Sequence, residues 1–211
     1  MVLQNFIVFE GIDGAGTTTQ LDLLRNNHKA DDFLFTAEPT PTPTGKFLRQ
    51  MLKGDIPVQP QTAAYLFAAD RYEHVFGNVS TSERTLSTGI ETACKKGTVV
   101  ISDRYFFSSL AYQSIDCGMD LPLKLNSVFP LPSLLFFFEI EPEVSLKRIT
   151  SRGFTEIYEK LDFLKKTESA YRTVIERYDG TPLGETMRIV RIDATKPKQE
   201  IESIIWAEIS K

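Results

Sequence analysis

The chain has 211 residues, 42% of them hydrophobic and 25% charged, with a net charge of −4. That balance suits a globular chain with a sizeable core and argues against a surface built to hold a nucleic-acid polymer. The longest apolar run, LLFFF at 134–138, is far too short to span a membrane, and no basic leader opens the chain, so a cytoplasmic protein with no membrane partner is expected.

In chain order, NFIVFE (5–10) is a short apolar run rich in β-branched and aromatic residues, and it reads as a buried parallel strand. GIDGAGTTTQ (11–20) follows at once. Gly11 and Gly16 have the spacing of a phosphate-binding loop, and Thr18 fills its Ser/Thr position. The loop lysine is absent, and Thr17 stands in its place. Gly11, Gly14 and Gly16 let backbone N–H groups turn toward an anion, and the next helix adds its positive end. The expected phosphate cradle is Gly11, Asp13, Gly14, Ala15, Gly16, Thr17 and Thr18.

A helix is expected from Thr17, with Leu21, Leu23 and Leu24 turned inward. FLFT (33–36) reads as a second strand, and PTPTPT (39–44) as a rigid loop, because each proline removes a donor and fixes φ. YLFAADRYEH (65–74) reads as helix, with Phe67, Arg71 and His74 on one face. An aromatic plane beside a cation suits a nucleobase, but a core phenylalanine beside a snorkelling arginine fits the same spacing. A third strand over 98–102 ends at Asp103-Arg104. That pair could order Mg²⁺ and bridge a phosphoryl group, or it could be a structural ion pair. SLLFFFEI (133–140) and MRIVRID (187–193) give two more strands. Apolar residues at 157, 161, 164, 171, 175 and 178 mark one face of a long helix, and KQEIESIIWAEI (198–209) marks another. Cys94 and Cys117 lack metal-ligand spacing and read as reduced thiols. Strands alternating with helices predict a parallel α/β sheet covered on both faces, with ligands beyond the strands' carboxyl ends.

Taken together, FIVFEGIDGAGTTTQ, FTAEPTPTPTGKFL, YLFAADRYEH, VVISDRYFFSSLAYQ, SLLFFFEIEPEVSLKRI and RIDATKPKQEI resemble the thymidylate kinase family over nearly the whole chain. The resemblance implies a P-loop nucleoside monophosphate kinase fold with a five-stranded parallel sheet. It implies a single domain over 1–211 with a short lid near 150–160, and often a homodimer. The implied reaction moves a phosphoryl group from ATP to dTMP with Mg²⁺. Asp13 would meet the acceptor 3′-hydroxyl. Phe67 would stack on thymine, Arg71 would bond it, and Ser109 and Gln113 would touch its edge. Tyr112 would disfavour a ribose 2′-hydroxyl. Arg104 would touch both phosphate groups, Asp103 and Thr18 would lie at the metal, and Arg152 would be the lid arginine. DATKPK (193–198), with Ala194 and Lys196, would line the adenine.

Two positions depart from this pattern, and both remove positive charge. The loop lysine is Thr17, and the arginine many members carry before Glu-Pro is Ala37, with no basic residue at Pro39 or Thr40. Lys46, Lys160 and Lys165 are the candidate replacements. Phosphoryl transfer depends on positioning and charge, so slow turnover is expected. A catalytically impaired nucleotide-binding protein of the same fold and a deoxynucleoside kinase are the alternative readings.

Overall fold

The computed structural model describes residues 1–28, 33–77, 88–151 and 160–211. Five parallel strands form its sheet: β1 (Val2–Gly11), β2 (Phe33–Ala37), β3 (Val99–Asp103), β4 (Leu131–Glu139) and β5 (Arg188–Asp193). Their order is β2-β3-β1-β4-β5. Phe6, Ile7, Val8 and Phe9 are all buried although successive strand residues face opposite sides, so helices cover both faces of β1. Leu135, Phe136, Phe137 and Phe138 do the same in β4. The edge strand β5 is mostly half-buried or exposed, as fits a strand with one neighbour.

β1 begins three residues earlier than NFIVFE suggested. Its pairing with β4 shifts register between Leu3 and Ile7, and Asn5 takes a left-handed φ of 63°. A break of that kind hides the continuity of a strand in its sequence pattern.

The helices among the described residues are α1 (Thr17–Asn27), α2 (Pro43–Leu52), α3 (Pro60–Phe76), α4 (Ile90–Lys95), α5 (Phe106–Cys117), α6 (Asp120–Asn126), α7 (Pro142–Thr150), α8 (Leu161–Tyr178) and α9 (Lys198–Ile209). In α1, Leu21 and Leu24 are buried as expected, but Leu23 is only half-buried and Gln20 takes the inward place. In α8, Leu164, Tyr171 and Ile175 form the expected apolar face, while the first residue of that pattern, 157, lies outside the described residues.

The PTPTPT stretch is not loop throughout. Pro43 and Thr44 open α2, because proline is tolerated in a first helical turn, where its missing N–H has no partner to lose. Thr42 caps the helix by accepting the Gly45 N–H. The preceding loop is pinned by Asp70 of α3. This buried carboxylate accepts the Thr40 N–H at 2.8 Å, the Thr40 hydroxyl at 2.6 Å and the Thr42 hydroxyl at 3.1 Å.

Asp70→Ala should therefore strand the fully buried Thr40 N–H and lower stability by about 2–3 kcal/mol in urea denaturation.

Candidate functional site

The order β2-β3-β1 places the carboxyl ends of β3 and β1 side by side, with Phe9 paired to Asp103. From β1 the chain crosses to β2 on one side, and from β3 it crosses to β4 on the other, so a crevice opens between the two strands. A cavity of about 640 Å³ occupies it.

The glycine-rich loop forms one end of this cavity. Gly14 and Gly16 have φ of 80° and 99°, in the left-handed region that favours glycine. At Gly14 a side chain would also meet the Ser145 hydroxyl at 2.8 Å. Gly16 is the N-cap of α1, and the first helical bond is Gln20 N–H to Gly16 O at 3.1 Å. The N–H groups of Thr17, Thr18 and Thr19 thus have no carbonyl behind them within the helix. Gly14, Gly16, Thr17 and Thr18 line the cavity, and Gly11 and Ala15 lie buried behind them. Thr17 itself is 6% exposed.

Arg104 follows β3 in a left-handed conformation, φ 72°, which is costly for a residue with a side chain. Its own backbone is held there, with its N–H donating to Phe9 O at 2.9 Å and its O accepting the Ser102 hydroxyl at 2.7 Å. Its guanidinium donates to Asp13 Oδ1 at 2.5 Å, Gly11 O at 3.0 Å, Ser108 Oγ at 3.2 Å and Tyr171 Oη at 3.3 Å. Asp13 is fixed on its other side by the Tyr112 hydroxyl, 2.9 Å from Oδ2. Burial pushes the Tyr112 phenol well above its ordinary value, so it stays a neutral donor. Asp103 accepts the Thr18 hydroxyl on Oδ2 at 2.5 Å, while its buried Oδ1 has no partner.

Beneath Arg104 lies Glu10, fully buried at the end of β1. Its Oε1 accepts the backbone N–H groups of Tyr105 and Ser108, and its Oε2 accepts the hydroxyls of Ser108 and Tyr171. Burial raises its carboxyl from 4.5 to about 7, against the opposing pull of Arg104 and these hydrogen bonds.

Phe67, Arg71, Ser109 and Gln113 line the rest of the cavity, and Tyr112 reaches from beside them to Asp13 of the loop. Arg71 is 1% exposed and does not snorkel. It pairs with Glu38 at 2.8 Å, and Glu38 also holds His74 at 3.0 Å. His74 therefore faces the interior behind the cavity rather than the cavity itself. The Gln113 amide oxygen is buried without a partner. Ala37 and Pro39 line the same wall, and beside them is Arg49 of α2, whose guanidinium donates to Pro39 O. A cation thus lies near Ala37 after all, supplied from the following helix.

A second cavity of about 280 Å³ lies on the other side of the loop, lined by Gly14, Ala15, Gly16, Arg148, Ala194 and Lys196 among others. Arg148 donates to Ala194 O at 2.8 Å and Gly14 O at 3.4 Å, which ties the two walls together. Of the candidate lysines, none of Lys46, Lys160 and Lys165 lines either cavity, and Lys165 is paired with Glu143 at the surface. Arg152 and most of the expected lid lie outside the described residues.

The family model described as Thymidylate kinase matches residues 9–205. The chain is 38% identical to a putative thymidylate kinase of Treponema pallidum (strain Nichols) over 205 residues, covering 96% of this chain and 92% of that protein. It is 38% identical to a probable thymidylate kinase of Methanocaldococcus jannaschii over 192 residues, 90% and 92% of the two chains. A probable thymidylate kinase of Pyrobaculum aerophilum is 34% identical over 208 residues, 98% and 96%. The chain belongs to the thymidylate kinase family. Five parallel strands in an α/β architecture agree with that membership.

The sequence alone assigned no role to Arg49, Arg148 or Glu10. Arg49 follows the buried Leu48 and precedes the buried Met51 and Leu52, at the margin of the inward face of α2. Arg148 similarly precedes the buried Ile149. Glu10 is the plainer signal, since it is an acid ending a strand buried on both faces.

The Glu10 geometry has a consequence for stability. The folded chain holds this proton more tightly than the unfolded chain, so between about pH 4.5 and 7 unfolding releases a proton. Stability contributed at this site is greatest below that window and falls as pH rises through it, by something on the order of 3 kcal/mol. A Glu10→Gln amide would accept both N–H groups on its oxygen and donate to both hydroxyls. Urea denaturation at pH 5 and pH 7.5 should show this loss in the wild type and not in Glu10→Gln.

Proposed function

We propose that the chain transfers the γ-phosphoryl group of ATP to dTMP, giving ADP and dTDP. The observation that carries this reading is one continuous cavity, with a phosphate loop at one end, an aromatic and hydrogen-bonding pocket at the other, and Arg104 and Asp103 between them. A phosphate oxygen of dTMP forms the new bond to the γ-phosphorus. The bond to the β,γ-bridging oxygen breaks, and its electrons leave with ADP. The chain's task is positioning and charge stabilisation. The N–H groups at the start of α1 take the donor phosphates. Arg104 stands where the two phosphate groups converge, and Asp13 receives the acceptor's 3′-hydroxyl. Phe67 stacks on thymine while Arg71, Ser109 and Gln113 meet its edge. Tyr112 crowds the 2′ position of the sugar. The second cavity, with Ala194, Lys196 and Arg148, takes the adenine.

The donor set fits Mg²⁺. Asp103 offers a buried carboxylate oxygen without a partner, and the Thr18 hydroxyl stands beside it. One carboxylate and one hydroxyl, completed by water and phosphate oxygens, is the sparse protein ligation this ion accepts. Bound there, Mg²⁺ would neutralise charge on the donor phosphates.

Arg49 supports a monophosphate acceptor over a nucleoside. It sets a guanidinium on the wall where Ala37 leaves none, in reach of a charged acceptor group. On the donor side, Thr17 remains a neutral side chain, and no lysine among the described residues lines the main cavity. The transition state loses more from this than the ground state.

Coupled ADP-release assays with ATP·Mg²⁺ should show turnover with dTMP and much less with thymidine. Thr17→Lys should raise kcat about tenfold or more. Unchanged kcat with normal nucleotide binding would show that the lysine position does not limit the reaction. Calorimetry should show dTMP binding that Phe67→Ala weakens by about 1–3 kcal/mol, the range for lost base stacking. A folded wild type that binds no dTMP would remove the base-pocket assignment.

A further inference from the structure

We propose that Asn126 is a positioning residue for base selection: it aims the Arg71 guanidinium so that a pyrimidine with a 4-keto oxygen is accepted and one with a 4-amino group is refused. This rests on the reading of Arg71 as the group that meets the acceptor base.

A guanidinium carries five N–H groups in one plane. In Arg71, Nε donates to Glu38 Oε2 at 2.8 Å, and Nη2 donates to Ser109 Oγ at 3.0 Å and Tyr105 O at 3.4 Å. Nη1 donates to Asn126 Oδ1 at 2.5 Å. The rings of Tyr105 and Phe129 lie 5.7 and 5.6 Å from the guanidinium carbon. The Nε edge and Nη2 are therefore occupied, and the one remaining hydrogen belongs to Nη1. Its direction follows from the plane of the guanidinium, which Glu38 holds on the Nε and Nη2 edge and Asn126 holds at Nη1.

Asn126 is suited to set it. It ends α6 and is 5% exposed. Its Nδ2 donates to Pro122 O at 2.8 Å, which fixes the amide with Oδ1 toward Arg71. It does not line the cavity, whereas Arg71 does, so it acts through the arginine.

The chemistry that results is selective. A fixed cationic N–H meets a keto oxygen well. Against a 4-amino group, donor faces donor, and a buried charged group is left unpaired. The Gln113 oxygen on the same cavity wall adds a second test, because this unpartnered acceptor suits the ring N3–H of a 4-keto pyrimidine. The 4-amino form lacks that hydrogen.

The experiment is calorimetric titration of wild type, Asn126→Leu and Asn126→Asp with dTMP and 5-methyl-dCMP, which share the sugar, phosphate and methyl group. The wild type should prefer dTMP by about a hundredfold or more. Asn126→Leu should narrow that ratio about tenfold or more, and Asn126→Asp, which keeps an acceptor at this position, should retain most of it. If Asn126→Leu does not fold, Asn126→Ser, with a hydroxyl too short to reach Nη1, is held to the same criterion. An unchanged ratio in the variant lacking the acceptor overturns the proposal, as does equal loss in Asn126→Asp. A wild type that binds both nucleotides equally overturns the proposal alone. A wild type that binds neither overturns the dTMP reading and the proposal with it.

Discussion

The Arg104 guanidinium is the tie on which the site depends. It joins the loop after β1, through Gly11 O and Asp13, to α5 through Ser108 and to α8 through Tyr171. The strained backbone at this residue is what turns its side chain back over the end of β1. Glu10 lies beneath the same cluster and shares Ser108 and Tyr171 with it. One charged group thus sets the spacing between the glycine-rich loop, α5, which carries Ser109, Tyr112 and Gln113, and α8. Because all of these partners but Ser108 come from segments distant in sequence, no local pattern could announce the arrangement.

What was legible in the sequence was what repeats or clusters. The strands show as apolar runs because a sheet covered on both faces leaves no polar side to its inner strands. The loop shows because its glycines and its helix start lie within ten residues. Phe67 and Arg71 share a helical face, and they do line one cavity. Less was legible wherever a neighbour in space decided the outcome. Leu23 was expected inside α1, but Gln20 is buried there and donates to Lys198 O at the start of α9. His74 was placed on the presumed ligand face, yet Glu38 and Thr36 draw it behind the cavity. No basic residue adjoins Ala37 in sequence, and the candidate replacements Lys46, Lys160 and Lys165 line neither cavity, whereas α2 brings Arg49 to the same wall.

On the proposed reading, the acceptor side and the donor side of the main cavity differ in how their charge is supplied. The acceptor side would have Arg71 and Arg49, with Arg104 between the two sides, each held by carbonyl or carboxylate oxygens. Guanidinium groups held this way are pre-organised, so little ordering remains when a ligand arrives. The donor side relies on backbone N–H groups and the helix end, which act as fixed partial charges. Such groups bind an anion without following it, whereas a lysine on a long stem can move with the transferring group.

The strand order carries a consequence for synthesis. β1 pairs with β3 and β4, whose paired residues begin at Val100 and Leu131. None of the described residues between Gly11 and β3 pairs with either edge of it. As the nascent chain grows at roughly 5–20 residues per second, this apolar ribbon remains open on both sides for several seconds. The strand that carries the glycine-rich loop is therefore open to mispairing with other chains until β3 and β4 enclose it.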